Sequence, residues 1–291
     1  MGEIYALGAA VVWALAMITL KKSGETAPPF ALNLFRVIVS IPLFAATLLA
    51  LGEPLWRRAP AADVLVLFAS GVIGIALSDT LFHAGLNSMG AGITGIVDCL
   101  YSPFVVLGAY LTLGERLGAW QLAGMVLVVV GVLIASRHDA PTGVPRRRLL
   151  AGVFYGTLAM VTVAVGIILA KPVLERSPVV WATAMRQVGA LLVLLPVGLA
   201  LPDRAAHFRP LRPHRQWRHL LPASVLGSYL ALILWIAGMK YTQAGSAAIL
   251  NQSSTIFVLV LASPLLKEPF TGRKVIASVL AVGGILMVTL G

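Results

Sequence analysis

A single cysteine, Cys99, leaves the chain no partner for an intrachain disulfide. Charge is scarce as well: Asp, Glu, Lys and Arg make up 11% of the 291 residues, against roughly a quarter in a soluble globular domain. So few charges cannot cover the surface of a water-soluble fold of this length. Five histidines lie scattered without metal-ligand spacing, and GxSxG, HExxH and phosphate-loop patterns are missing. Hydrolytic, metal and nucleotide chemistry therefore have no motif to rest on, and the reading is of a non-enzyme without cofactor or metal. The period-two alternation of a lipid-facing β-barrel is also lacking.

What is present is oil: 59% of the residues are hydrophobic. Ten stretches are apolar enough to cross a bilayer, which takes about 17–25 residues per helix. They are Gly2–Leu20, Phe30–Leu51, Val64–Phe82, Ala91–Leu113, Leu117–Ser136, Leu149–Ala170, Val179–Leu201, Leu220–Gly238, Ala244–Leu266 and Thr271–Leu290. The expected fold is an all-α polytopic membrane protein in the lipid bilayer of a bacterial inner membrane, monomeric or homodimeric. The start, MGEIYALGAAVVW, is acidic and has no small-residue cleavage site, so it reads as a retained first helix. The net charge of +11 comes from arginines in short loops, the habit of membrane loops, and argues against nucleic acid as a partner.

Two stretches, LGERLGAW and LKEPFTGR, place a glutamate at the same kind of joint between oily runs. Shifted by 153 positions, Ala84–Ile134 falls on Ala237–Met287 without a gap, and Glu115 meets Glu268. A shift of 150 sets Tyr5 on Tyr155, Lys21 on Lys171, Glu25 on Glu175 and Arg36 on Arg186. The chain reads as a tandem duplication: a first five-helix unit at 1–136, a basic linker at 137–148, and a second unit at 149–291. Five is odd, so the second copy is expected to enter the membrane inverted, with a substrate path between the halves near the midplane. Glu115 and Glu268 are read as structural corners, where a carboxylate suits the positive end of a helix dipole.

The segments GERLGAWQLAGMVLVVVGVLI, NLFRVIVSIP and TAMRQVGAL, with ten helices in two halves, resemble the EamA-type members of the drug/metabolite transporter superfamily. The resemblance spans the whole chain and implies a basket of ten helices around a central cavity. It also implies export or exchange of small metabolites by alternating access. Arg36 and Arg186 match the family's repeated arginine in helices 2 and 7, which points to a gate or scaffold role. Lys267 departs from the family's glycine–glutamate corner.

Of the twenty-two basic residues, fourteen lie in the loops after the odd-numbered helices and six on the other side, with Arg36 and Arg186 inside helices. The positive-inside rule then places both termini outside, although relatives are often drawn with both inside.

Ionisable groups inside spans are costly and suggest function. The stretch LSDTLFHAG holds Asp79 and His83 four apart on one helical face, and ITGIVDCLYS holds Thr94, Asp98, Tyr101 and Ser102. A short loop joins these helices, so both aspartates are expected roughly 6–15 Å below the same interface. Arg36 enters to a similar depth, and Arg36, Asp79, His83 and Asp98 are expected to converge. The second copy answers with neutral groups. Asp98 meets Asn251, followed by Gln252, Ser254 and Thr255, with Ser228, Tyr229 and Trp235 on helix 8 and Trp13 on helix 1. Acids in one half only suggest holding a cationic group, carrying protons, or both. Against this stand two structural readings: Asp79–His83 as a satisfied structural pair bridging helices, and Asn251–Gln252 as interhelical glue. The expected function is secondary transport of a small metabolite such as an amino acid. A non-transporting scaffold or sensor, and a nucleotide-sugar or lipid-linked translocator, are the rivals.

Overall fold

The structure is a computed structural model that describes residues 1–23, 28–135, 145–266 and 272–290. The expected corner at Lys267–Glu268 and the matched Glu25 lie outside the described residues.

Every regular element among them is helical. The chain begins with α1 (Gly2–Ser23) and α2 (Pro29–Ala50). Next, α3 (Ala61–Gly71) passes through a π-helical turn, Val72–Leu77, directly into α4 (Ser78–Asp98). After a break at Cys99–Leu100 come α5 (Tyr101–Leu113) and α6 (Ala119–Ala135). Then follow α7 (Arg146–Arg176), α8 (Val179–Ala200), and a short α9 (Arg204–Phe208) in the arginine-rich segment. The remainder is α10 (Trp217–Ser224), a second π-helical turn (Val225–Leu230), α11 (Ala231–Tyr241), α12 (Ala244–Gln252), α13 (Ser254–Leu266) and α14 (Gly272–Leu290). Proline immediately precedes α2, α3, α7 and α8, where its fixed φ and missing N–H do no harm. Gly114, with φ of 68°, ends α5 in the left-handed conformation that glycine adopts freely.

Six helical segments are long and apolar enough to cross a bilayer: Gly2–Thr19, Pro29–Ala50, Ala61–Met89, Arg146–Arg176, Val179–Ala200 and Trp217–Tyr241. Shorter apolar helices cover Tyr101–Leu113, Ala119–Ile134 and Val275–Leu290. The protein is thus a polytopic, all-helical integral membrane protein. The expected fourth and ninth stretches are not continuous helices, since each is broken midway, at Cys99–Leu100 and at Ser253. The helical run from Ala61 to Asp98 also doubles back. A straight helix would carry Tyr101 about 45 Å from Ser70. Instead Ser70 bonds Arg186, whose guanidinium covers Trp235, whose indole donates to Tyr101.

Large apolar side chains such as Leu65, Leu111, Val279 and Leu286 face outward, as lipid-facing residues do. The interior is built from small ones, including Ala6, Ala9, Ala10 and Ala14 along α1. With lipid as apolar as the side chains, close backbone approach supplies the packing energy. A Cβ on Gly71 would strike the Arg186 carbonyl, one on Gly189 would lie 2.5 Å from Phe68 Cα, and one on Gly166 would lie 2.8 Å from Gly74. These contacts seat α3 and its π turn on α7 and α8. Gly124 and Gly284 make a similar crossing between α6 and α14. The glycines of GVFYG serve this purpose too: Gly152 and Gly156 meet Met89 of α4.

The irregularities recur at one spacing. The two π turns, VIGIAL and VLGSYL, are 153 positions apart, the offset at which the sequence itself repeats. Breaks at Leu100 and Ser253 share that offset. A π turn leaves carbonyls without their usual helical donors, and an amide side chain covers each. Asn33 Nδ2 donates to the Ile75 and Ala76 carbonyls at 3.0 and 3.2 Å, and Gln187 Nε2 donates to the Ser228 carbonyl at 3.0 Å.

Candidate functional site: a polar cavity among the helices

A cavity of about 300 Å³ opens among α1, α2, the first π turn, α4, α5, α7, α8, the second π turn, α11, α12 and α13. Trp13, Arg36, Asp79, Asp98, Tyr101, Ser228, Trp235, Asn251 and Gln252 all line it, so most of the expected site residues do meet. Apolar groups including Met17, Val37, Phe82 and Leu232 complete the wall.

Arg36 organises one side. It is buried, its Nε donates to Ser228 Oγ at 2.9 Å, and its Nη1 lies 3.5 Å from Asp79 Oδ2. The same Nη1 is 3.1 Å from His83 Nε2. A guanidinium can only donate, so Nε2 is the acceptor there and the ring proton belongs on Nδ1. The guanidinium also lies 5.3 Å from the Trp13 ring centroid, a cation–π contact. Asp79 and His83 thus meet through Arg36, which stands between them as a common partner. His83 is buried behind that arginine and outside the cavity wall.

Arg186 stands differently from its sequence counterpart. It is fully buried, its Nε donates to Ser70 Oγ at 2.8 Å, and it covers the Trp235 ring at 5.3 Å. Among the described residues, neither Nη1 nor Nη2 has a hydrogen-bond partner and no carboxylate lies within ion-pair distance. It sits outside the cavity wall, behind Gly74 and Trp235. Gly74 faces Arg186 Nη2, and Gly227, one repeat offset later, faces Arg36 Nη2.

On the far side, Gln252 Nε2 donates to Asp98 Oδ2 at 3.2 Å, joining the ends of α4 and α12. Trp235 Nε1 donates to Tyr101 Oη at 3.1 Å. Tyr229 does not reach the cavity. Its hydroxyl pairs with Thr47 and its ring packs edge-on against Phe44, both on α2. Glu115 acts at a helix N-terminus, but across the fold. Its carboxylate accepts from the Ala244 and Gly245 amides at the start of α12, at 3.0 and 3.3 Å. Gln121, by contrast, covers the Gly118 amide ahead of α6. Gln187 is the cavity residue that sequence reasoning missed. Its signal was an uncharged amide inside a span, directly beside Arg186. No cluster of three His, Cys, Asp or Glu that could hold a metal occurs among the described residues.

The model of the EamA-like transporter family matches residues 1–137 and again 150–290. An "Uncharacterized transporter" of Archaeoglobus fulgidus is 24% identical, with 99% of this chain and 97% of the relative covered. A second from the same organism is 22% identical, covering 95% and 94%. A "Probable biotin transporter" of Pseudomonas aeruginosa is 31% identical over 58% of this chain and 64% of its own length. A solved crystal structure superposes with a TM-score of 0.80 at 20% identity, over 99% of this chain and 96% of the other, which shows a shared fold.

Proposed function

The chain belongs to the EamA-like transporter family, and on that premise we propose that it is a secondary transporter. It would export or exchange a small metabolite across the cytoplasmic membrane by alternating access. The observation that carries this is the cavity, walled by both sequence copies yet charged mainly by the first. Reciprocal contacts support two halves related by a pseudo-two-fold axis: Gly74 of the first copy meets Arg186 of the second, and Gly227 of the second meets Arg36 of the first. On this reading ten spans are arranged as two inverted five-helix repeats. The π turns and helix breaks are where backbone can rearrange, because irregular backbone inside a membrane survives only where it lines a cavity or is buried in protein.

Asp98, and Asp79 beside Arg36, make the wall suit a small metabolite with a cationic group, an amino acid among them. Asp79 and Asp98 are the candidate proton carriers. The loop charges place both termini outside, and a reporter fused to the C-terminus reads that directly. The transport test uses purified protein in liposomes loaded with the twenty amino acids and biotin. Efflux across an imposed pH gradient is followed by mass spectrometry. Selective loss of one or a few solutes from protein-containing vesicles is expected, and no loss beyond empty vesicles overturns transport of these solutes. If Asp79→Asn and Asp98→Asn both leave flux and its pH dependence unchanged, proton coupling through these acids is wrong.

A further inference from the structure

The cavity wall carries one carboxylate without a cation, and two of its residues, Gln187 and Gln252, hold buried amide oxygens without donors. Asp98 lines it, and among the described residues its carboxylate receives only Gln252 Nε2 and has no ion pair. Gln252, 2% exposed, has committed its amide donor to that carboxylate, and its Oε1 is buried with no partner. Gln187, 1% exposed, donates to the Ser228 carbonyl and likewise leaves Oε1 unpaired. A buried carbonyl oxygen facing no donor costs free energy, and native proteins rarely leave one without a reason.

Neither buried arginine is open to an anion in the cavity. Arg36 in the cavity wall faces Asp79, and Arg186 is shut behind Gly74 and Trp235. An incoming carboxylate thus finds no unmatched cation in the wall, whereas an incoming cation finds an unmatched carboxylate beside an unmatched amide oxygen. Both groups belong to helices that stop inside the bundle, α4 at Asp98 and α12 at Gln252. Helices that break off inside the bundle are where membrane transporters hold charged cargo.

We infer that the cavity recognises an organic ammonium group, held by the Asp98 carboxylate, with Gln252 and Gln187 turning their buried Oε1 atoms to it as further acceptors. This rests on the transporter reading for its purpose but not for its test. An ammonium brings three N–H donors and one positive charge, which meets both deficits together. A hydroxyl would satisfy one oxygen and leave the carboxylate uncompensated. The carboxylate of an amino acid plays no part in this recognition, so an amine and its parent amino acid should bind alike.

The test is equilibrium binding to intact protein in detergent, read by intrinsic fluorescence, since Trp13 and Trp235 line the cavity. The probes are 2-phenylethylamine, phenylalanine, 2-phenylethanol and 3-phenylpropionate. The amine is expected to bind at least about tenfold more tightly than the alcohol, the ratio a charged hydrogen bond supplies. The carboxylate should show no saturable binding. Asp98→Asn should remove about tenfold of the amine affinity, Asp98→Glu should restore most of it, and Gln252→Leu should narrow the amine-to-alcohol ratio. Should Asp98→Asn fail to elute as a monodisperse peak, the Gln252→Leu ratio decides. Equal binding of alcohol and amine, preference for the carboxylate, full amine affinity in Asp98→Asn, or no binding by any probe each overturns the inference. Carboxylate-selective binding would do so while leaving the transporter reading intact, and absent liposome flux with amine-selective binding would do the reverse.

Discussion

Arg36 Nη1 stands 3.5 Å from Asp79 Oδ2, while Arg186, its counterpart 150 positions later, has no carboxylate within ion-pair distance among the described residues. The two arginines share a register and each covers a tryptophan at 5.3 Å, Trp13 and Trp235 respectively, but only Arg36 has an acid within ion-pair distance. The difference follows from the second copy carrying Leu232 where the first has Asp79.

Removing either member of the Arg36–Asp79 pair leaves a poorly solvated charge. Arg36→Ala and Asp79→Ala are each expected to lower the melting temperature in detergent. The double variant should be less destabilised than the sum of the two. A double-mutant cycle should return a coupling of about 1–2 kcal/mol. Additive losses would show that the pair is not energetically joined.

Gly71 and Gly283 give a contrast in one residue type. A Cβ on Gly71 meets the Arg186 backbone, whereas one on Gly283 meets nothing within 4 Å. Gly71→Ala should cost about 1–3 kcal/mol by forcing α3 off α8. Gly283→Ala should be neutral or stabilise by up to about 1 kcal/mol through helix propensity. Thermal unfolding of both variants checks the sign.

Glu115 covers the first amides of α12, so Glu115→Ala should cost about 1 kcal/mol, as loss of a helix cap does. Glu115→Gln keeps an oxygen acceptor and should recover part of that. Hydrogen exchange localised to residues 244–247 would report the loss, and unchanged protection there would refute the capping role.

Tyr229 separates structure from recognition. Tyr229→Phe removes its hydroxyl from Thr47 and should lower stability by about 1 kcal/mol. Transport KM, measured in liposomes, should not change, because the ring faces Phe44 and not the cavity. A several-fold change in KM would place Tyr229 in the substrate path.

The helical membrane class was legible because it follows from composition: a chain this apolar has to satisfy its backbone internally and keep its charges out of lipid. The offset of 153 was legible from residues such as Glu115 and Glu268, and the structure's π turns fall on the same offset. The turns themselves were not anticipated. Their shared letters, Val72, Gly74 and Leu77 against Val225, Gly227 and Leu230, are too cheap in such a composition to signal a bulge. What makes the bulge tenable is distant, an amide from Asn33 or Gln187 on another helix.

Site residues divide in the same way. Asp79, Asp98 and Arg36 could be selected because charge inside a span is costly wherever it points. Tyr229, His83 and Gln187 could not be sorted, since a polar residue on a helix reads alike whether it faces a cavity, a neighbour or an arginine.

The amino-acid order by itself determined the helical membrane class, the offset at which the chain repeats, and which few charges its apolar stretches carry. Those are local matters of transfer free energy and backbone chemistry. Only the tertiary structure decided which arginine obtains an acid, which amide oxygens remain unmatched, and that Asp98 meets Gln252 across 154 positions. Such pairings depend on where separate helices cross, and the crossings are set by glycines touching backbone far away in the chain.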